Sequence, residues 1–338
     1  MPRKWHRSKK LGNRNEKVRE ADSPMKCVFI SYLNPFKFSG GGEAISRTLI
    51  ECGLKLGHSI EVVSAFPELT GPIPHSFDLA ILVDIHNAPK KWRRFPEAML
   101  REVMKGAYVH IDHAYVDLCN LDYLPCNGAV QADHVCIFRN ILGVTWPQAC
   151  YAQQVKDLYR NSLMNVFHSP LHRSVVQDIL GKEVIGRSFI IRPTVDPSQF
   201  YNMHLDRDIE YLCAGVVCEA KGYEIVKERF AGKTVHFVGP IRRGTRFDFG
   251  VHLGQVPYGE MPRLFNRVRH FINLPRWPEP CGRVIVEAAL CGCDLITNEN
   301  VGAVSFDFDI CDPKNLAGSA EAFWTQLQSC TTPRAATT

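Results

Sequence analysis

Short apolar runs rich in strand-forming residues recur along this chain roughly every 20–30 residues, most of them followed by a loop and a helix-patterned stretch. Cys27-Val28-Phe29-Ile30-Ser31-Tyr32 opens the series, with Gly40-Gly41-Gly42 and a helical stretch from Glu43 to Leu56 behind it. Ser59–Ser64, Leu79–Val83 and Ala107–Ile111 continue it as strands, and a helix over about 97–104 precedes the last of them. Val166-Phe167-His168-Ser169 then leads into an amphipathic helix ending near Ile179. The series begins again after Ile190–Pro197, which reads as a strand ending in a proline-bounded turn at a domain junction. Tyr211–Val216, Thr234–Gly239, a short His252–Gly254, His270–Asn273 and Asp294–Thr297 read as strands. Helices are predicted after Lys221-Gly222, over Met261–Arg267 and over Arg283–Leu290. Uninterrupted apolar strands separated by helices require a parallel sheet covered on both faces. The pattern therefore predicts an α/β chain of two Rossmann-like, doubly wound domains facing across a cleft. Ligands of such sheets sit at the carboxyl ends of the strands.

The predicted division is a leader over residues 1–24, a first domain over 25–187, a second over 188–330 and a tail over 331–338. Charge sets the leader apart. It holds eight basic and three acidic side chains; the chain holds 40 Lys plus Arg and 35 Asp plus Glu, which leaves 32 of each sign for the rest. The leader has no apolar core of 7–15 residues, so it does not read as a secretory signal. It reads as a solvated disordered tail, or as an electrostatic tether for nucleic acid or an anionic membrane; a third reading makes Met25 the true start. With 45% hydrophobic residues and no apolar run near the ~18–20 needed to span a bilayer, wholesale disorder and an integral membrane protein are excluded. Thirteen scattered cysteines without a C-x-x-C pair predict reduced, mostly buried thiols and a cytoplasmic protein. Cys119, Cys126 and Cys136 lie near His113 and His134, but their spacing matches no standard zinc pattern, so no metal site is read.

Three segments in the second half carry chemistry. Gly215-Val216-Val217-Cys218-Glu219-Ala220-Lys221-Gly222 ends a strand in a loop with a Lys-Gly pair before a helix. Gly254 to Pro262 is a second loop. The third, Trp277 to Ala288, contains Glu279 and Glu287 flanking seven residues, with Gly282 in the loop and the second glutamate on a helix. Singly each is weak, since a Lys-Gly pair marks many helix starts and a helical glutamate is commonly a solvated face residue. Together, in this order, they resemble the retaining, nucleotide-sugar-dependent glycosyltransferases of the family-4 type, which have the two-domain GT-B fold. The resemblance covers about residues 26–310, and the Glu-x7-Glu segment is its most specific part.

That resemblance implies transfer of a sugar from a nucleoside diphosphate donor to an acceptor hydroxyl with retention and without a metal or other cofactor. It makes Lys221 and the amides around Gly282, Arg283 and Val284, at a helix N-terminus, the holders of the departing diphosphate. It makes Glu279 an acceptor for a donor-sugar hydroxyl and Glu287 the holder of the ribose hydroxyls. Gly41 and Gly42 stand in the loop whose amides approach the donor phosphates. His113 is the expected contact near the anomeric carbon, with His110 second and Asp112 as an orienting or acceptor-side carboxylate. The catalytic set is thus His113, Glu279 and Lys221. One departure stands out: many relatives carry Arg directly after the glycine that opens the Lys-Gly loop, and here that position is Val216. Arg283, Arg242 and Arg243 are the substitute cations considered. A D-x-D at Asp307-Phe308-Asp309 lies late in the chain, outside the cleft motifs, in agreement with the implied metal independence.

The acceptor stays open. A saccharide, a lipid-linked sugar or a small molecule is one class. DNA carrying modified bases, as for some phage enzymes of this fold, is another; the basic leader and Lys90, Lys91, Arg93 and Arg94 would serve phosphate contacts. A binding or scaffold protein that has kept the fold without turnover is the third, for which Val216 is the argument.

Overall fold

The computed structural model describes residues 23–38, 40–66, 69–85, 97–115, 118 and 153–331. Most of the leader, the tail after 331, the Lys90–Arg94 cluster and residues 119–152 lie outside the described residues. Two parallel sheets form. The first contains β1 (Lys26–Leu33), β2 (Ser59–Phe66), β3 (Leu79–Val83), β4 (Tyr108–Ile111), β5 (Asn165–Phe167) and β6 (Ser188–Ile190), in the spatial order β2-β1-β3-β4-β5-β6. Its helices are α1 (Gly41–Lys55), α2 (Glu97–Val103), α3 (Gln153–Arg160), α4 (Pro170–Leu180) and α5 (Lys182–Ile185). The second contains β7 (Ile209–Ala214), β8 (Val235–Val238), β9 (Val251–His252), β10 (Val268–Asn273) and β11 (Asp294–Thr297), in the order β11-β10-β7-β8-β9. With it come α6 (Tyr223–Arg229), α7 (Met261–Asn266), α8 (Arg283–Leu290) and α9 (Pro313–Leu316), and α10 (Ser319–Thr331) closes the described chain.

The apolar runs explain the layering. On β1, Cys27 and Phe29 pack into one cluster with Ile45 and Leu49 of α1, while Val28 and Ile30 pack into another on the opposite face. A strand buried on both sides cannot alternate polar and apolar residues, which is why this segment reads as an unbroken hydrophobic run. Chain order reverses between β1 and β3 in the first sheet and between β7 and β10 in the second. Loops leaving neighbouring strands at such a point diverge and open a crevice at the strands' carboxyl ends.

The boundaries differ from expectation in two places. β6 pairs in parallel with β5, so residues 188–190 complete the first sheet and do not open the second domain. The closing helix α10 also joins the first domain: Ala320, Phe323, Trp324 and Leu327 are buried with Phe29, Leu49 and Ile81, and Trp324 Nε1 donates to the Leu49 carbonyl at 2.8 Å. Helix membership of this kind is decided by which exposed groove accepts an apolar face, not by chain position. The two passages between domains are tied together, since the Arg192 guanidinium donates to the Asn315 and Ala317 carbonyls at 2.8 Å each and Ser319 Oγ donates to the Arg192 carbonyl at 2.9 Å. Among the described residues no helix is long and apolar enough to cross a membrane. The described cysteines are free thiols, most of them buried.

Candidate active site

A cleft of about 680 Å³ lies between the domains at both switch points. The first domain lines it with Gly40, Gly41, Gly42, His113 and His168; the second lines it with the ends of β7 and β10, Lys221, Trp277 and the run Glu279–Val284. Of the residues singled out from sequence, Gly41, Gly42, His113, Lys221, Glu279, Gly282, Arg283 and Val284 thus meet around one space.

The second domain's side is built on charge. Lys221, in the loop between β7 and α6, forms an ion pair with Oε1 of Glu279. Asn273, the last residue of β10, donates to the other oxygen of that carboxylate at 3.0 Å. The Lys221 ammonium also stands 4.9 Å from the centroid of the Trp277 ring, a cation–π placement that orients it without neutralising it. Backbone bonds fix Glu279 itself: its amide donates to Asn300 O at 2.7 Å and its carbonyl accepts from Gly302 N at 2.9 Å. Gly282 then caps α8 with φ 74° and ψ 50°, a left-handed conformation that turns the chain into the helix and that glycine adopts without Cβ strain. Gly282, Arg283 and Val284 bring the N-terminal end of α8 to the cleft; the Ile285 amide donates to the Gly282 carbonyl at 2.8 Å, and the amides before it lie ahead of the intrahelical ladder.

One turn further along, Glu287 lies buried beneath Arg283 and Tyr258. Arg283 Nε is 3.1 Å from Glu287 Oε1, the Tyr258 hydroxyl donates to the same oxygen at 2.8 Å, and Arg283 donates to the Tyr258 oxygen at 2.8 Å. Burial pushes the Glu287 carboxyl above its ordinary pKa, against the opposing pull of Arg283 and the Tyr258 hydrogen bond. Burial and then the nearby Glu279 likewise raise the Cys281 thiol to about 12, so it stands in the cleft as a neutral group.

The first domain's side is neutral. His113 follows β4, and both of its ring nitrogens are engaged within its own domain: Nε2 lies 2.9 Å from Ser46 Oγ on α1, and Nδ1 lies 2.8 Å from His168 Nε2. Its amide donates to Asp84 Oδ1 at 2.8 Å. A methyl group on Gly42 would come 2.7 Å from the His113 ring, so a residue without a side chain is needed where the ring meets the head of α1. Burial, and next the neighbouring His172, lower the His113 pKa to about 3. His113 therefore stands at the cleft as a neutral, hydrogen-bonded ring and not as a free proton carrier.

The other expected first-domain residues point elsewhere. His110 and Asp112 are buried on the opposite face of β4, where Tyr159 packs edge-on against His110 and donates to Asp112 Oδ2 at 3.0 Å. Side chains alternate along a strand, so residues 110 and 112 cannot share a face with 113. Arg242 and Arg243 sit exposed on the turn after β8 and do not line the cleft. Arg283 does line it, with its guanidinium directed onto Glu287 and Tyr258. The residues that sequence reasoning passed over are Ser46, His168, Asn273 and Tyr258. Each is a partner supplied by another element, and of the four Asn273 and His168 carried a local signal, their strand-end positions. Cys119, Cys126, Cys136 and His134 lie outside the described residues. Among the described residues no group of three or more His, Cys, Asp and Glu side chains is arranged to hold a metal ion.

No protein-family model matches the chain, and no curated protein matches it in sequence. Solved structures do match over nearly the whole chain. Sucrose-phosphate synthase from Thermosynechococcus elongatus is 13% identical with a TM-score of 0.56, covering 91% of this chain and 93% of that one. Anabaena HepE in complex with UDP is 14% identical with a TM-score of 0.54, covering 91% and 96%. An alpha-glucosyltransferase in complex with UDP-glucose and DNA containing an abasic site is 12% identical with a TM-score of 0.50, covering 92% and 94%. At such identities the likeness shows the architecture: the chain has the GT-B fold, two Rossmann-like domains facing across a cleft.

Proposed function

We propose that this protein is a glycosyltransferase that moves a sugar from a nucleoside diphosphate-sugar to an acceptor hydroxyl with retention at the anomeric carbon. The observation that carries the reading is the meeting of Lys221 and Glu279 at the N-terminal end of the helix that bears Glu287, opposite the glycine turn at the head of α1. Breaking the bond from the anomeric carbon to the diphosphate leaves negative charge on a phosphate oxygen. Groups fixed where that charge grows lower the barrier, because they need no rearrangement as it appears. Lys221 is the cation so placed, and the first amides of α8 add aligned donors. Glu279 accepts from a donor-sugar hydroxyl while keeping Lys221 oriented, and Glu287, in its buried frame of Arg283 and Tyr258, holds the ribose. Lys221 and the α8 amides thereby replace the arginine missing at Val216.

The acceptor hydroxyl attacks on the face from which the diphosphate leaves. The new C–O bond forms as the old one breaks, and the proton passes to the departing phosphate oxygen, so no protein nucleophile or divalent cation takes part. The similar fold of structures solved with UDP and with UDP-glucose supports a nucleoside diphosphate donor. The test is hydrolysis of UDP-, ADP- and GDP-sugars in the presence of EDTA, with the anomeric form of the first-released sugar read by NMR. Turnover of at least one donor, lost in Lys221→Ala and Glu279→Ala, supports the reading. No turnover and no donor-induced melting shift leaves a binding or scaffold protein on this fold.

For the acceptor, a saccharide, a lipid-linked sugar or a small molecule is the first class to assay. A DNA acceptor is the second, supported by the eight basic side chains of residues 1–24 and by the similarity to a glucosyltransferase solved with DNA. Salt-sensitive duplex binding that survives removal of residues 1–24 supports it; binding that vanishes with the leader is electrostatic attachment alone.

A further inference from the structure

Behind His113 the first domain holds more histidine than its proposed chemistry uses. His168, at the end of β5, stacks on His113 with ring centroids 4.8 Å apart and planes 26° apart. His172, one turn into α4, stacks on His168 at 5.8 Å and 17° and accepts the His168 backbone N–H on Nδ1 at 3.2 Å. His168 is 2% exposed and His172 wholly buried. A fold that needed only apolar filling here would not desolvate two imidazoles.

The hydrogen bonds run in a definite direction. Between His113 Nδ1 and His168 Nε2, 2.8 Å apart, one nitrogen carries the proton. His168 Nδ1 is buried and has no partner among the described residues. Neutral His172, accepting on Nδ1, already leaves its buried Nε2–H without a partner among the described residues. Were His113 the donor, His168 would carry its proton on Nδ1 and add a second such N–H, which is rarer than an unmet lone pair. The arrangement that avoids this has His168 Nε2–H donating to His113 Nδ1. His113 then carries its proton on Nε2, and that proton goes to Ser46 Oγ at 2.9 Å. Ser46 and Gly42 are four residues apart on one face of α1, and the His113 ring touches both.

We infer that His168 is a positioning residue for the transfer site: by donating from Nε2 to His113 Nδ1 it fixes the His113 proton on Nε2, directs it to Ser46, and so sets where the glycine turn at the head of α1 stands in the cleft. Its kinetic consequence rests on the transferase reading; the tautomer does not.

The test is nitrogen NMR of the full chain labelled at histidine, with rings assigned through single variants. Both His113 and His168 carry the proton on Nε2, unchanged between pH 6 and 8. A His113 ring protonated on Nδ1, or either ring titrating near pH 6.5, overturns the inference. His168→Gln keeps an N–H donor in reach of His113, whereas His168→Leu keeps volume and loses the donor. The Leu variant lowers kcat/KM for UDP-glucose, or for whichever nucleotide-sugar the wild type turns over, by about 10–100-fold, and Gln restores it to within about threefold. Equal losses in both variants make His168 a packing residue only and overturn the inference. If the Leu variant does not fold, the wild-type spectrum and the Gln variant still decide. If the wild type turns over no nucleotide-sugar, the transferase reading fails, and the tautomer measurement alone decides this one.

Discussion

On the second domain's side of the cleft, Lys221 pairs with Glu279 and Arg283 with Glu287, their side chains between 6% and 24% exposed. On the first domain's side, His113 lines the cleft and stacks on His168, which stacks on His172 behind it, the latter two buried, and desolvation lowers the pKa of all three. The contrast separates two tasks. On the proposed function, a departing diphosphate needs charge that is already in place, and the two ion pairs of the second domain would supply it. The first domain would supply shape: burial lowers the pKa of its three imidazoles, so near neutrality they lend no charge. The chain's net charge of +5, all of it in the leader, says nothing about either wall.

Substitutions can break this division. The largest effect belongs to the charged wall: Lys221→Ala or Glu279→Ala lowers kcat for donor hydrolysis by about 10²–10³-fold, and the double variant loses far less than the product, because the two act as one unit. Next comes the shape of the neutral wall. Gly42→Ala forces the His113 ring aside and lowers kcat/KM by about 10–100-fold with no charge changed. Glu287→Gln weakens UDP binding in calorimetry by about tenfold, and Tyr258→Phe, which removes one hydroxyl from the same carboxylate, by about threefold.

The smallest effect is on the pH dependence of stability, and there the walls oppose one another. A histidine whose native pKa lies near 3 binds its proton only on unfolding, so its contribution is complete above about pH 6.5 and is lost as pH falls toward 3. His168 and His172 act in the same sense, each proton costing about 1.4 kcal/mol per pH unit in that window. Glu287, raised by burial, contributes most below the ordinary glutamate pKa and loses that contribution as pH rises through its higher native value. Urea titrations between pH 5 and 7 should therefore show stability rising with pH, and His172→Phe should flatten that slope.

The central strands of the first sheet were legible because β1 and β3 are apolar runs whose burial is a local necessity. Glu279, Gly282 and Glu287 were legible because a loop, a helix cap and the helix it opens lie consecutively in the chain, and Lys221 because it stands just before the glycine that caps α6. Their partners were not: Asn273, Tyr258, Ser46 and His168 reach the site from separate elements. For β4 the strand's own alternation held the answer. Tyr108 packs on one face and Val109 and Ile111 on the other, which puts His113 toward α1 and His110 and Asp112 away from the cleft. The placing of α10 was beyond reading, because an amphipathic helix does not announce which of two domains will cover its apolar side.

That placing bears on how the chain matures. Trp324 is wholly buried against the first sheet's helix layer, yet it is translated after every strand of the second domain. A domain made first on the ribosome ordinarily folds first. Here the groove over α1 stays open until residues 319–331 emerge, so the second domain can settle while the first still waits for its last helix. Nascent chains stalled before Ala320 should present that apolar groove to chaperones, and chains released beyond it should not.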